Sequence, residues 1–126
     1  MNIEERLTAY WQDVANQNAA ALAKYFTLDA YIRWNNTNEH FTVEEFIIAN
    51  CEYPGDWKGE VERIEIVRDT AITVARVWSS DNSLSFHVIS FFEFQGEKIA
   101  VLNEYWGDDG APPQWRIDKH IGKPIK

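Results

Sequence analysis

Glu104 is the residue of this chain best placed to do chemistry. It stands in EKIAVLNEYWGDD, residues 97–109, where strand alternation turns Ile99, Val101, Asn103 and Tyr105 to one face and Ala100, Leu102, Glu104 and Trp106 to the other. Neither face is wholly polar, which is the mark of a strand covered on both sides. A carboxyl group among apolar neighbours is penalised in its charged form, so its pKa rises toward neutrality, where it can serve as a general acid or base. A carboxylate held by Arg76 or Arg33, or an acceptor that orients a ligand, are the alternatives.

His87 lies in the middle of SLSFHVISFFEF on the face shared by Ser85, Ile89 and Phe91. It is the second candidate: a base for the neutral range that could pair with Glu104 across the final hairpin. Its structural alternative is a satisfied strand histidine on an outer face. Trp34, Asn35, Asn36 and Glu39 stand where the first strand gives way to a loop. There an amide and an indole could grip a polar substituent while an apolar cavity takes the rest of a ligand, with Trp57 as a further wall. The competing reading of Asn36 and Asn38 is an Asn-rich turn. Cys51 sits on the apolar face of a helix and reads as packing. The histidines at 40, 87 and 120 lack ligand spacing, and Asp108 and Asp109 beside glycines read as a solvated turn. Neither a metal nor a cofactor is expected.

The elements that must position these residues follow from periodicity. Ile3, Leu7, Tyr10, Trp11 and Val14 recur at helical spacing, and Asn18 caps a second short helix that turns Leu22 and Phe26 inward. Leu28 to Asn35 alternates as a strand, with Leu28, Ala30, Ile32 and Trp34 on one face, and the polar loop NNTNEH follows. Thr42 and Glu45 form a capping box with a Phe41 to Phe46 staple, opening a third helix that ends before Pro54 and Gly55. Val61 to Arg68, Ala71 to Ser79, Leu84 to Phe94 and Lys98 to Trp106 are rich in strand-forming residues, and their short connections require antiparallel neighbours. The tail from Gly107 to Lys126, with spaced Trp115, Ile117, Ile121 and Ile125, is expected to be irregular and packed on the body.

The 126 residues fit one domain with a core of its own. Six Trp, five Tyr and seven Phe need a large core, a cavity lining or an interface to cover them. A net charge of −8 and the lack of any basic run make nucleic acid and anionic membrane poor partners. The N-terminus shows no leader pattern, no apolar run reaches membrane-spanning length, and a single Cys51 agrees with a reducing compartment, so a cytoplasmic protein is expected.

The order helix, helix, strand, helix and four strands is α+β. With the segments IRWNNTNEHFTVEEFI, FFEFQGEKIAVLNEYW and EYWGDDG, it resembles the nuclear transport factor 2-like superfamily, particularly its SnoaL-like branch. The resemblance covers nearly the whole chain to Asp109. It implies a cone-shaped, curved antiparallel β-sheet wrapped around the N-terminal helices, an apolar pocket at the open end, and commonly a homodimer through the outer sheet face. By the same resemblance Glu104 is the inward carboxylate of the last strand, Leu102 and Trp106 share its pocket face, and Tyr10 and Asp29 match loosely the phenol and second carboxylate of the isomerases. Arg76 matches the Asp-Arg-Asp arrangement of the epoxide hydrolases by strand location only, so that activity is not carried over. Because the superfamily hosts enzymes, transport factors and association domains, function rests on the site. The expected function is binding of a small apolar or ring-containing molecule. The alternatives are an isomerase or cyclase using Glu104, with His87 or Tyr10 steadying an oxyanion, and a homodimerisation domain without ligand.

Overall fold

The computed structural model describes all residues, Met1–Lys126. Helix α1 (Ile3–Ala15) opens with a capping box, in which the Asn2 side chain accepts the Glu5 amide at 2.8 Å and the Glu5 carboxylate accepts the Asn2 amide at 3.3 Å. It buries Leu7, Tyr10, Trp11, Val14 and Ala15, the stripe its spacing predicts. After the break at Asn16, α2 (Ala19–Ala23) starts from the Asn18 cap. Then come strands β1 (Phe26–Trp34) and β2 (Glu39–Phe41), helix α3 (Val43–Cys51), strands β3 (Trp57–Val67), β4 (Thr70–Ser79), β5 (Ser85–Gln95) and β6 (Lys98–Asp108), and helix α4 (Gln114–Asp118). No helix is long and apolar enough to cross a membrane.

All six strands form one curved, unclosed sheet in the order β2-β1-β6-β5-β4-β3. The meander from β3 to β6 is antiparallel, as its tight turns demand. The β1–β6 pair is parallel, so the sheet is mixed and not antiparallel throughout. These two strands are joined through most of the chain, and no short turn constrains their direction. The sheet remains open at β2 and β3 and does not close into a barrel. β2 was hidden in what reads as a polar loop; it pairs Phe41 with Ile32 and Glu39 with Trp34.

The helices cover the inner face. Along β4 the residues Ala71, Thr73, Ala75, Val77 and Ser79 are buried while their neighbours are not, and α1 reaches them through Trp11, whose indole N–H donates to Thr73 Oγ1 at 3.1 Å. Gly59 on β3 serves the same contact, since a Cβ at that position would lie 3.1 Å from Ala15 Cβ. Tyr10 sits at the centre of the core, edge-on to Trp11, Tyr25, Phe26 and Phe92.

Two local expectations differ from the structure. Leu28, which alternation points inward, is fully exposed. Phe26 pairs with Ile99 and Tyr31 with Val101, so β1 advances five residues where β6 advances two, and the surplus pushes Leu28 outward. Residues of the tail, Trp115, Ile117, Ile121 and Ile125 among them, are exposed where packing on the body was expected.

Candidate functional site

The inner face of the sheet, α1 and α3 enclose a cavity of about 290 Å³. Its wall is a run of rings: Tyr53, Trp57, Phe86, Trp106 and Trp34 all line it, and each touches the next. Successive ring centroids lie 5.6, 5.8, 6.3 and 6.3 Å apart, at interplanar angles of 57°, 40°, 80° and 67°. The rings therefore surround the space and do not form a single stack. Val14, Ala15, Ala49 and Val77 complete the apolar wall, and Asn36, Thr37, Tyr53 and Asp108 mark its exposed mouth.

Each ring has a local reason to be there. Trp34 ends β1 on the same face as Ile32, and Phe41 and Phe46 hold it edge-on. Trp57 begins β3, with its indole N–H donating to the Pro54 carbonyl at 3.1 Å. Phe86 shares the parity of Val88, Ser90 and Phe92, the inward residues of β5. Trp106 follows Leu102 and Glu104 on β6, and its amide donates to the Asn36 side chain at 2.7 Å, which ties the β1–β2 turn to the mouth.

Glu104 lies beneath this wall and not on it. It is 1% exposed, and its two carboxylate oxygens accept from Trp34 Nε1 at 3.0 Å and Ser90 Oγ at 2.6 Å. Burial raises its pKa to about 7, against the opposing effect of the hydrogen bonds from Ser90 and Trp34 and of the nearby Trp106 indole. The Trp106 N–H itself is buried without a hydrogen bond of good geometry, as is the Tyr10 hydroxyl. That hydroxyl is held well above the usual tyrosine range, first by burial and then by the Glu104 charge. No arginine holds Glu104: Arg76 points to the outer face, where it bonds Ser85 Oγ and lies over Trp78, and Arg33 is exposed.

His87 is on the opposite face of the sheet from Glu104 and does not pair with it. Its Nδ1 lies 2.6 Å from Asp109 and its Nε2 3.0 Å from Glu62. Asp109 also accepts from Ser85 Oγ at 2.6 Å. The bond to Asp109 raises the His87 pKa, burial opposes this, and Glu62 adds to the rise. Burial works against Asp109, yet the bonds from Ser85 and His87 hold its carboxyl below the usual range. This clasp ties the end of β6 to β5 and β3, and His87 does not line the aromatic cavity.

Of the residues singled out in sequence, Trp34, Asn36, Trp57 and Trp106 line one cavity, while Tyr10 and Leu102 lie wholly inside the core and do not. Asp29 is exposed on β1. The other lining residues, Gln17, Asn50, Tyr53, Phe86 and Asp108 among them, were not singled out in sequence as lining residues. Phe86 was available by parity from Ser90, and Asp108 by extending the Glu104 and Trp106 face by two residues; Gln17 and Tyr53, in the turns after α1 and α3, carried no such signal.

No protein-family profile and no curated protein matches this sequence. Solved structures do. A Kribbella flavida DSM 17836 protein, to which ketosteroid isomerase activity is ascribed, superposes with a TM-score of 0.76 at 20% identity, over 97% of this chain and 91% of that one. An NTF-2 like protein of unknown function from Burkholderia xenovorans LB400 gives 0.76 at 24%, over 97% and 94%. A hypothetical protein with a ketosteroid isomerase-like fold from Catenulispora acidiphila DSM 44928, in complex with trimethylamine, gives 0.71 at 14%, over 82% and 86%. This chain has the α+β fold of the nuclear transport factor 2-like proteins.

Proposed function

We propose that this protein is a binding module that holds a small, largely apolar molecule in the aromatic cavity. The single observation that carries this reading is the run of five rings around one cavity of about 290 Å³. Pockets for drug-sized ligands start at about 300 Å³, so the occupant is a single ring or a short branched compound. The Catenulispora acidiphila protein of this fold holds a ligand of that size. A thermal-shift screen of such compounds tests the proposal. Binders should raise Tm by several degrees in the wild type and by none in Ala49→Phe, whose ring fills the space. Equal shifts in both proteins would contradict it.

An isomerase or cyclase acting through Glu104 is the second reading, favoured by an inward carboxyl titrating at about 7. Against it, both carboxylate oxygens are occupied and Glu104 does not reach the cavity. It requires turnover that Glu104→Gln abolishes with the fold intact.

We propose further that the chain is a homodimer through the outer sheet face. Val74, Ile89 and Tyr105 lie side by side on β4, β5 and β6, beside Ile72 and Phe91, and the last two strands bring Phe91 and Tyr105 within 6.2 Å. This face is opposite the cavity, so the pairing and the binding reading are independent. The half-buried free thiol of Cys51 supports a cytoplasmic location.

A further inference from the structure

The polar atoms on the cavity wall are spent in a particular way. Gln17 Nε2 donates to the carbonyls of Asn50 and Tyr53, at 3.0 and 2.6 Å, and Asn50 Nδ2 donates to the Val14 carbonyl at 3.1 Å. Only an amide nitrogen can donate to a carbonyl, so these partners fix both side-chain amides. What remains free on each is an oxygen, an acceptor. The indole donors are turned away as well: Trp34 Nε1 is held by Glu104 and Trp57 Nε1 by Pro54. Trp34 and Trp57 therefore present no free N–H to the cavity, and the Trp106 N–H is itself buried. Among the fourteen lining residues there is no Lys, Arg or His, and one carboxylate, Asp108. Asp108 makes no ion pair and no side-chain hydrogen bond elsewhere. At the mouth the donors are the Asn36 amide nitrogen, whose companion oxygen is taken by the Trp106 amide, and the hydroxyls of Thr37 and Tyr53, which can accept as well.

A wall of rings and acceptors with a lone carboxylate attracts positive charge. A neutral ligand would gain nothing from the exposed carboxylate of Asp108, and an anion would be repelled by it. The apolar remainder, Val14, Ala15, Ala49 and Val77, offers contact for methyl groups and no hydrogen-bond acceptor, so this part of the wall suits a cation whose N–H bonds are replaced by methyl groups better than a bare ammonium group.

Resting on the binding reading above, we propose that the cavity takes a methylated ammonium cation, with its charge against the rings of Trp34, Trp57, Phe86 and Trp106 and its counter-charge on Asp108.

Calorimetric titration with four probes tests this at fixed ionic strength. Choline carries the charge and three methyl groups; 3,3-dimethylbutan-1-ol has the same shape without the charge; ethanolamine has the charge without the methyls; toluene is a neutral ring. Choline should bind at least tenfold more tightly than either the alcohol or ethanolamine. Asp108→Asn, at an exposed position whose side chain makes no hydrogen bond or ion pair, should weaken choline severalfold and leave the alcohol unchanged. Binding of the alcohol as tight as that of choline overturns the cationic assignment while leaving the cavity reading in place, and ethanolamine binding as tightly as choline overturns the methylated part. If toluene alone binds, the cation inference fails and the binding reading stands; if none of the four binds, both fail. An unchanged choline affinity in Asp108→Asn removes the proposed counter-charge and with it the proposal.

Discussion

Glu104 sets an unusual pH dependence at the scale of single residues. Its carboxyl titrates at about 7 in the folded chain and at about 4.3 when unfolded. Between those values the folded state alone keeps the proton, so stability from this group is greatest below the unfolded value and falls as pH rises toward 7. The loss is on the order of 3 kcal/mol once the folded carboxyl has ionised. Glu104→Gln keeps an acceptor for Trp34 and can donate to Ser90, yet it cannot ionise. It should be more stable than the wild type at pH 8 and nearly equal to it near pH 5, measured by urea denaturation. A wild type as stable as the variant at pH 8 would contradict the assignment. His87 works in a neighbouring window. Its folded pKa is raised by Asp109 and Glu62, so its stabilisation is complete below the unfolded value of about 6.5 and disappears as pH rises through the folded one. The Tm deficit of His87→Ala should be larger at pH 6 than at pH 9. A burial-driven shift at Glu104 was legible from Leu102 and Trp106 around it. The role of His87 was not, because its partners Glu62 and Asp109 come from a bulge and from a segment that reads as a turn.

At the scale of elements, the caps were written most plainly. Thr42 and Glu45 close the box at the start of α3, with bonds of 3.2 and 2.9 Å, as their spacing required. Because α3 carries Ala49 and Asn50 to the cavity wall, this cap bears on the site as well as on the fold. Thr42→Ala should cost about 1 kcal/mol, read from the urea midpoint, and a change within error would show that tertiary contacts alone hold α3. Strand faces were legible wherever the ladder is regular, as on β4 and β5. They failed at the register shifts: the surplus in β1 that expels Leu28, and the slip between Glu93 and Phe94 that buries Ile99 on the core side although alternation places it with Tyr105. A bulge depends on how two strands meet, and a single strand's alternation does not record its partner. The parallel β1–β6 pairing escaped a reading from loop lengths for the same reason.

At the scale of the molecule, aromatic content is divided between a core around Tyr10, a cavity wall and an outer face. The sequence demanded cover for the rings without assigning each ring to one of the three. Tyr10 went to the core and Phe86 to the wall because the curvature of the sheet, which no local pattern encodes, decides how deep each inward residue lies. The outer stripe of Ile72, Val74, Ile89, Phe91 and Tyr105 predicts a dimer in sedimentation at micromolar concentration. Tyr105→Lys should then shift the protein to monomer without loss of helical content, and a monomeric wild type would overturn the pairing. The cavity is a more specific claim, because three of the six Trp line it and three do not. The indole N–H resonances of the protein, followed during titrations with choline and with toluene, test it most directly. Shifts should be concentrated at Trp34, Trp57 and Trp106, with Trp11, Trp78 and Trp115 unmoved; shifts centred on those last three, or none with either probe, would contradict the cavity assignment.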